Sequence, residues 1–91
     1  MARVVITLKI MPTGQEVSLE NIQKQAEKEI KNFGGDVGKV ETEPVAFGLI
    51  ALKIYFVMDE AKGTTDPLEE KIAAMEGVNS VQVIDVRRTI G

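Results

Sequence analysis

Cysteine and histidine are both absent from the 91 residues. Disulfide frameworks, iron–sulfur clusters, thiolate zinc sites and histidine-based acid–base or nucleophile-activating arrangements are thereby excluded together. Aromatic side chains are few, three Phe and one Tyr, so any base-stacking platform of the RNA-binding type would have little to build on. Long apolar runs are missing as well. No stretch approaches the roughly 20 residues needed to cross a bilayer, and the N-terminus shows no signal-peptide pattern. The expectation is a soluble, cytoplasmic protein without a membrane partner. Positive charge is also in short supply: the formal net charge is −3 and the sequence pI is about 4.9. That balance argues against nucleic acid as the direct partner, since phosphate binding is led by Lys and Arg.

What is present is enough apolar material, 44% of the chain, for a single small domain over residues 1–91 with one modest core held by packing alone. The strongest pattern lies in Ile50, Leu52, Ile54, Phe56 and Met58, a period of two that predicts a central strand over 49–58 with one face buried. Val4, Ile6, Leu8 and Ile10 repeat that pattern in a first strand, which Met11-Pro12-Thr13-Gly14 ends. Ser18 is placed to cap a helix, with Val17 and Ile22 at the spacing of a hydrophobic staple. Ile22, Ala26, Ile30 and Phe33 then form one narrow apolar stripe. Lys24, Lys28 and Lys31 with Glu20 and Glu27 occupy the wet face as i,i+4 pairs. Gly34-Gly35 supplies the left-handed stop.

Residues 37–43, with an internal glycine and Pro44 at the end, suit an edge strand. After the polar loop 59–65, Asp66 reads as an N-cap, Pro67 as the first helical residue and Glu69 as the reciprocal capping partner. Leu68, Ile72 and Met75 give the second helix its stripe, and Gly77 stops it. In the last strand, about Val78 to Val86, Val81 and Val83 are in phase with Asp85, whereas Ile84 and Val86 are in phase with Gln82. A bulge near Ile84 would reconcile the two sets. The order strand, helix, strand, strand, helix, strand, joined by right-handed crossovers, predicts an α+β, ferredoxin-like βαββαβ sandwich: a four-stranded antiparallel sheet in the order 4-1-3-2 with two helices on one face.

Three places hold chemistry to be weighed. Asp59, Glu60 and Asp66 are oxygen donors suited to a hard cation, yet they lack calcium-loop spacing, and a solvated loop followed by a helix cap accounts for them. No glycine-rich loop ending in Lys-Ser/Thr opens a helix, so no phosphate cradle is expected, and neither a metal nor a cofactor is called for. Phe47, between Pro44 and Gly48 on a turn, has two readings: a core residue, or an exposed anchor for a partner. Arg87 and Arg88 likewise read either as a solubilising basic end or as forks for an acidic or phosphate-bearing partner.

Glu43-Pro44-Val45-Ala46-Phe47-Gly48-Leu49, with Gly63-Thr64-Thr65-Asp66-Pro67-Leu68-Glu69-Glu70-Lys71-Ile72 and Ile84-Asp85-Val86-Arg87-Arg88, resembles the guanine-nucleotide exchange domain of translation elongation factor 1-beta in its stand-alone archaeal form. The resemblance implies a protein that is no enzyme in the covalent sense. It implies binding to the GTPase elongation factor 1-alpha, in GDP-bound and nucleotide-free forms, and promotion of GDP release during translation elongation. In the family an aromatic on the hairpin enters a pocket on the GTPase; Phe47 matches it, flanked by Ala46 and Gly48. The eukaryotic family members also carry a C-terminal lysine that disturbs the Mg²⁺ and phosphate region. No lysine stands in Arg87-Arg88-Thr89-Ile90-Gly91, so the resemblance leaves Arg87 or Arg88 for that role, or exchange without an inserted charge. Two other readings stay open on the residues: a small hydrolase of the acylphosphatase type, though Met11 to Ser18 contains no phosphate-holding arginine, and an RNA- or ligand-binding module, for which only Tyr55 is in place.

Overall fold

The computed structural model describes residues 2–89; Met1, Ile90 and Gly91, the ends of the expected 1–91 domain, lie outside the described residues. The strands are β1 (Arg3–Pro12), β2 (Asp36–Pro44), β3 (Ile50–Asp59) and β4 (Val78–Thr89), and the helices are α1 (Leu19–Phe33) and α2 (Asp66–Ala73). They form one antiparallel sheet in the order β2-β3-β1-β4, the expected 4-1-3-2 read from the other edge. The two most apolar strands are central because only there can both neighbours and a helix layer cover them. Ile6, Leu8 and Ile10 of β1 pack with Leu52, Ile54, Phe56 and Met58 of β3. Ile22, Ala26 and Ile30 of α1 and Leu68 and Ile72 of α2 close that core from one side. No helix among the described residues is long and apolar enough to cross a membrane.

The local signals operate with a few shifts. Ser18 caps α1 by accepting the Asn21 N–H at 3.3 Å, and Gly34, at φ 102°, ends it while its N–H reaches the Lys31 carbonyl. On the wet face of α1, Lys24 pairs with Glu20 at 3.4 Å, while Glu27 takes a hydrogen bond from Gln23 at 2.8 Å instead of pairing with a lysine. The first strand runs on through Met11 to Pro12, because Pro12 still has Val78 opposite it. Asp66 does not cap α2. Thr65 holds the cap position, its hydroxyl donating to Glu69 at 2.6 Å, while the Asp66 N–H donates to the Thr64 hydroxyl at 3.1 Å. The polar run Thr64-Thr65-Asp66 offers three oxygens in a row, and the helix begins one residue earlier than the Asp-Pro pair suggests. Met75 falls beyond α2, packed against the core from the turn that follows it.

Both edge strands are irregular, β2 once and β4 twice, the first slip of β4 lying at Asn79, between the Met11–Ser80 and Pro12–Val78 pairs. β2 slips between Val37 and Lys39, around Gly38. β4 slips at Ile84: Thr7 faces Asp85 but Leu8 faces Val83. The extra residue puts Val81 and Val83, before it, and Val86, after it, on the helix side. Bulges of this kind twist an edge away from unwanted strand pairing. Val86 is nonetheless 58% exposed and, unlike Val81 and Val83, is not packed against the core.

Candidate functional site at the two ends of the sheet

Pro44 ends β2 because it has no N–H for the ladder, and the chain reverses through a tight turn, Ala46–Gly48, into β3. The Val45 N–H donates to the Leu49 carbonyl at 2.9 Å, and the Leu49 N–H returns a bond to the Ala46 carbonyl at 3.2 Å. Between these two bonds Phe47 (φ 60°) and Gly48 (φ 72°) both take the left-handed conformation. Glycine does so freely; a side-chain-bearing residue pays about 1–2 kcal/mol. Phe47 is the only non-glycine residue with positive φ among those described. Strain of this kind persists where the surrounding structure over-determines it, and it concentrates at functional sites.

The conformation aims the ring outward. Phe47 is 90% exposed, so of its two sequence readings the projecting one holds and the core one does not. Ala46 and Gly48 are exposed beside it. Ile50, expected on the buried face of β3, is 41% exposed: it is the first residue of the strand, where the chain leaves the hairpin. Phe47 and Ile50 are thus two exposed large apolar residues at this end of the sheet.

Sequence reasoning missed one contributor. The side-chain amide of Gln15, in the β1–α1 loop, donates to the Phe47 carbonyl at 2.8 Å. It also lies so close over Gly48 that a Cβ there would come within 2.5 Å of its nitrogen. Nothing in the sequence around Gln15 announces this bond, which joins positions 32 apart.

Arg87 and Arg88 are at the other end of the sheet. Arg88 faces Val4, which faces Met58, whereas the hairpin closes at Pro44 opposite Ile50. Eight residues of β3 separate these levels, roughly 26 Å at the rise of a strand, in a molecule 42 Å long. The two arginines therefore share one end of the sheet, away from Phe47. They also project to opposite sides: Arg88 lies level with Val4 on the helix side and pairs with Glu60 at 2.9 Å, and Arg87 lies level with Val5 on the open side and pairs with Asp85 at 2.9 Å. Exposed pairs of this sort contribute about 0–1 kcal/mol, so either guanidinium can be drawn off by a stronger anion at little cost.

The open face of the sheet is polar and internally paired. Glu43 lies 3.7 Å from Lys9 and 3.9 Å from Lys53. The Tyr55 hydroxyl donates to Glu41 at 2.8 Å, with Lys39 at 3.2 Å from the same carboxylate and 5.5 Å above the Tyr55 ring. The Tyr55 hydrogen bond, followed by that of Lys39, holds the Glu41 carboxyl below its ordinary value. The same carboxylate, and then burial, push the Tyr55 hydroxyl up. In the acidic loop Asp59 accepts the Ala61 N–H at 2.8 Å. Among the described residues no three acidic side chains converge on a metal position. The arrangement sets an exposed aromatic at one end of the sheet and two ion-paired arginines at the other.

The family model described as "EF-1 guanine nucleotide exchange domain" matches residues 5–89. An elongation factor 1-beta of Methanothermobacter thermautotrophicus is 41% identical over 88 residues, covering 97% of this chain and 98% of that one. Another, of Methanococcoides burtonii, is 40% identical over 90 residues, covering 99% and 100%. Among solved structures, the C-terminal domain of the MgtC protein from Mycobacterium tuberculosis superimposes with a TM-score of 0.63 at 15% identity, covering 98% of this chain and 87% of that one. At that identity the likeness is one of fold.

Proposed function

The chain belongs to the EF-1 guanine nucleotide exchange domain family, and from that premise we propose that it binds elongation factor 1-alpha and speeds the release of its GDP. Residues 1–91 act as one exchange domain in the cytoplasm, with no cofactor and with neither nucleic acid nor a membrane as direct partner. The observation that carries the reading is Phe47, 90% exposed at the tip of a turn held in a strained conformation. Its ring enters an apolar pocket on the GTPase, Ala46 and Gly48 let the turn approach closely, and Arg87 or Arg88 meets the region of the nucleotide phosphates from the other end of the sheet.

Exchange of this kind needs no covalent step. A protein that binds the nucleotide-free GTPase more tightly than the GDP-bound one must weaken GDP binding by the same factor, because the coupling is reciprocal. GTP then loads by mass action. Calorimetric titration of this protein into nucleotide-free and GDP-bound elongation factor 1-alpha tests the reading. The nucleotide-free form is expected to bind more tightly, and equal affinities would rule this linkage out, since a ligand indifferent to two states shifts neither.

A further inference from the structure

We propose that Gln15 is a positioning residue for the docking turn: its side-chain amide, by holding the Phe47 carbonyl, keeps residues 46–48 in the binding conformation before any partner arrives. The inference rests on the reading of Phe47 as the anchor.

The turn has little else to fix it. None of its three residues is buried, so no packing energy opposes relaxation of Phe47 out of the left-handed region. The two backbone bonds of the hairpin close around the turn at Val45, Ala46 and Leu49 and leave the Phe47 carbonyl to Gln15. Gln15 itself is exposed and contributes nothing to the core. Its backbone, by contrast, is anchored on both sides. Pro12 is buried in the sheet, the Thr13 N–H donates to the Gly77 carbonyl at 2.9 Å, and Val17 packs against the core. The amide therefore extends from a fixed base to a strained tip on a different segment.

The residue type matters. A carboxylate of the same size has no donor and would repel the Phe47 carbonyl; a methyl group would not reach it. Without the bond, the free turn samples other conformations, and the apparent affinity for the GTPase falls with the fraction that remains competent. The net worth of one such hydrogen bond corresponds to about a three- to tenfold change.

The test compares the native protein with Gln15→Glu, Gln15→Ala and Phe47→Ala in two measurements. In the first, GDP release is followed as the concentration of elongation factor 1-alpha·GDP is varied. Both Gln15 variants are expected to raise KM about three- to tenfold with kcat held, while their melting temperatures stay at the native value. In the second, backbone amide order parameters by NMR, with no partner present, are expected to drop at Phe47 and Gly48 in the Gln15 variants and nowhere else. Native KM and native order parameters in Gln15→Glu would overturn the proposal. If Phe47→Ala alone leaves exchange unchanged, the anchor reading falls instead, and the order parameters still decide whether Gln15 fixes the turn.

Discussion

Phe47 combines two costs that a folding chain would ordinarily avoid: a left-handed backbone at φ 60° and a large apolar side chain 90% exposed to water. A binding partner that buries the ring recovers about 1.5–3 kcal/mol. Phe47→Ala is therefore expected to weaken binding to elongation factor 1-alpha roughly ten- to a hundredfold, with an unchanged circular dichroism spectrum; calorimetric titration checks it. The residues alone showed that an aromatic stood on a turn but not which way it pointed, because direction depends on a turn conformation fixed in part by Gln15, 32 positions away. The arginines were likewise legible as a basic pair. Their projection to opposite faces follows from the alternation of β4, once the Ile84 bulge has set its phase.

At the scale of elements, the signals that were local and redundant came through. Ser18, Val17, Ile22 and Gly34 all specify the limits of α1, and each acts as its type predicts. Ser18→Ala removes the acceptor for the Asn21 N–H and is expected to cost about 1 kcal/mol of stability, read from urea denaturation. The start of α2 was off by one residue because Thr64, Thr65 and Asp66 are three cap-type residues in a row: the Thr64 hydroxyl takes the Asp66 N–H, while Thr65, at the cap position, donates its hydroxyl to the Glu69 carboxylate. The bulge at Ile84 was readable because two apolar phases within one strand leave few ways to bury both.

For the molecule as a whole, topology was legible because crossover handedness leaves few arrangements for this order of elements. The distribution of charge over the open sheet face was not, since pairs such as Tyr55 with Glu41 meet only through strand register. That pair gives the fold a pH signature. Glu41 is held below its ordinary value chiefly by the Tyr55 hydroxyl. Its contribution is therefore present above the unfolded carboxylate value of about 4.3 and is lost as pH falls through the lower folded value. Tyr55 is raised chiefly by the same bond. Its contribution is present below the ordinary phenol value of about 10 and is lost as pH rises through the folded one. In Tyr55→Phe the Glu41 carboxyl should return toward its ordinary value in an NMR titration, and the acid limb of stability should flatten.

The fold is shared with a structure only 15% identical, so the fold alone does not choose a function; the proposed exchange activity rests on the exposed Phe47 at one end of the sheet and Arg87 or Arg88 at the other. Release of fluorescent GDP from elongation factor 1-alpha, timed in excess unlabelled nucleotide with sub-stoichiometric amounts of this protein, tests that claim most directly. Faster release, with each molecule of the factor serving many of the GTPase, is the predicted result; release at the spontaneous rate at every concentration of the factor would contradict it.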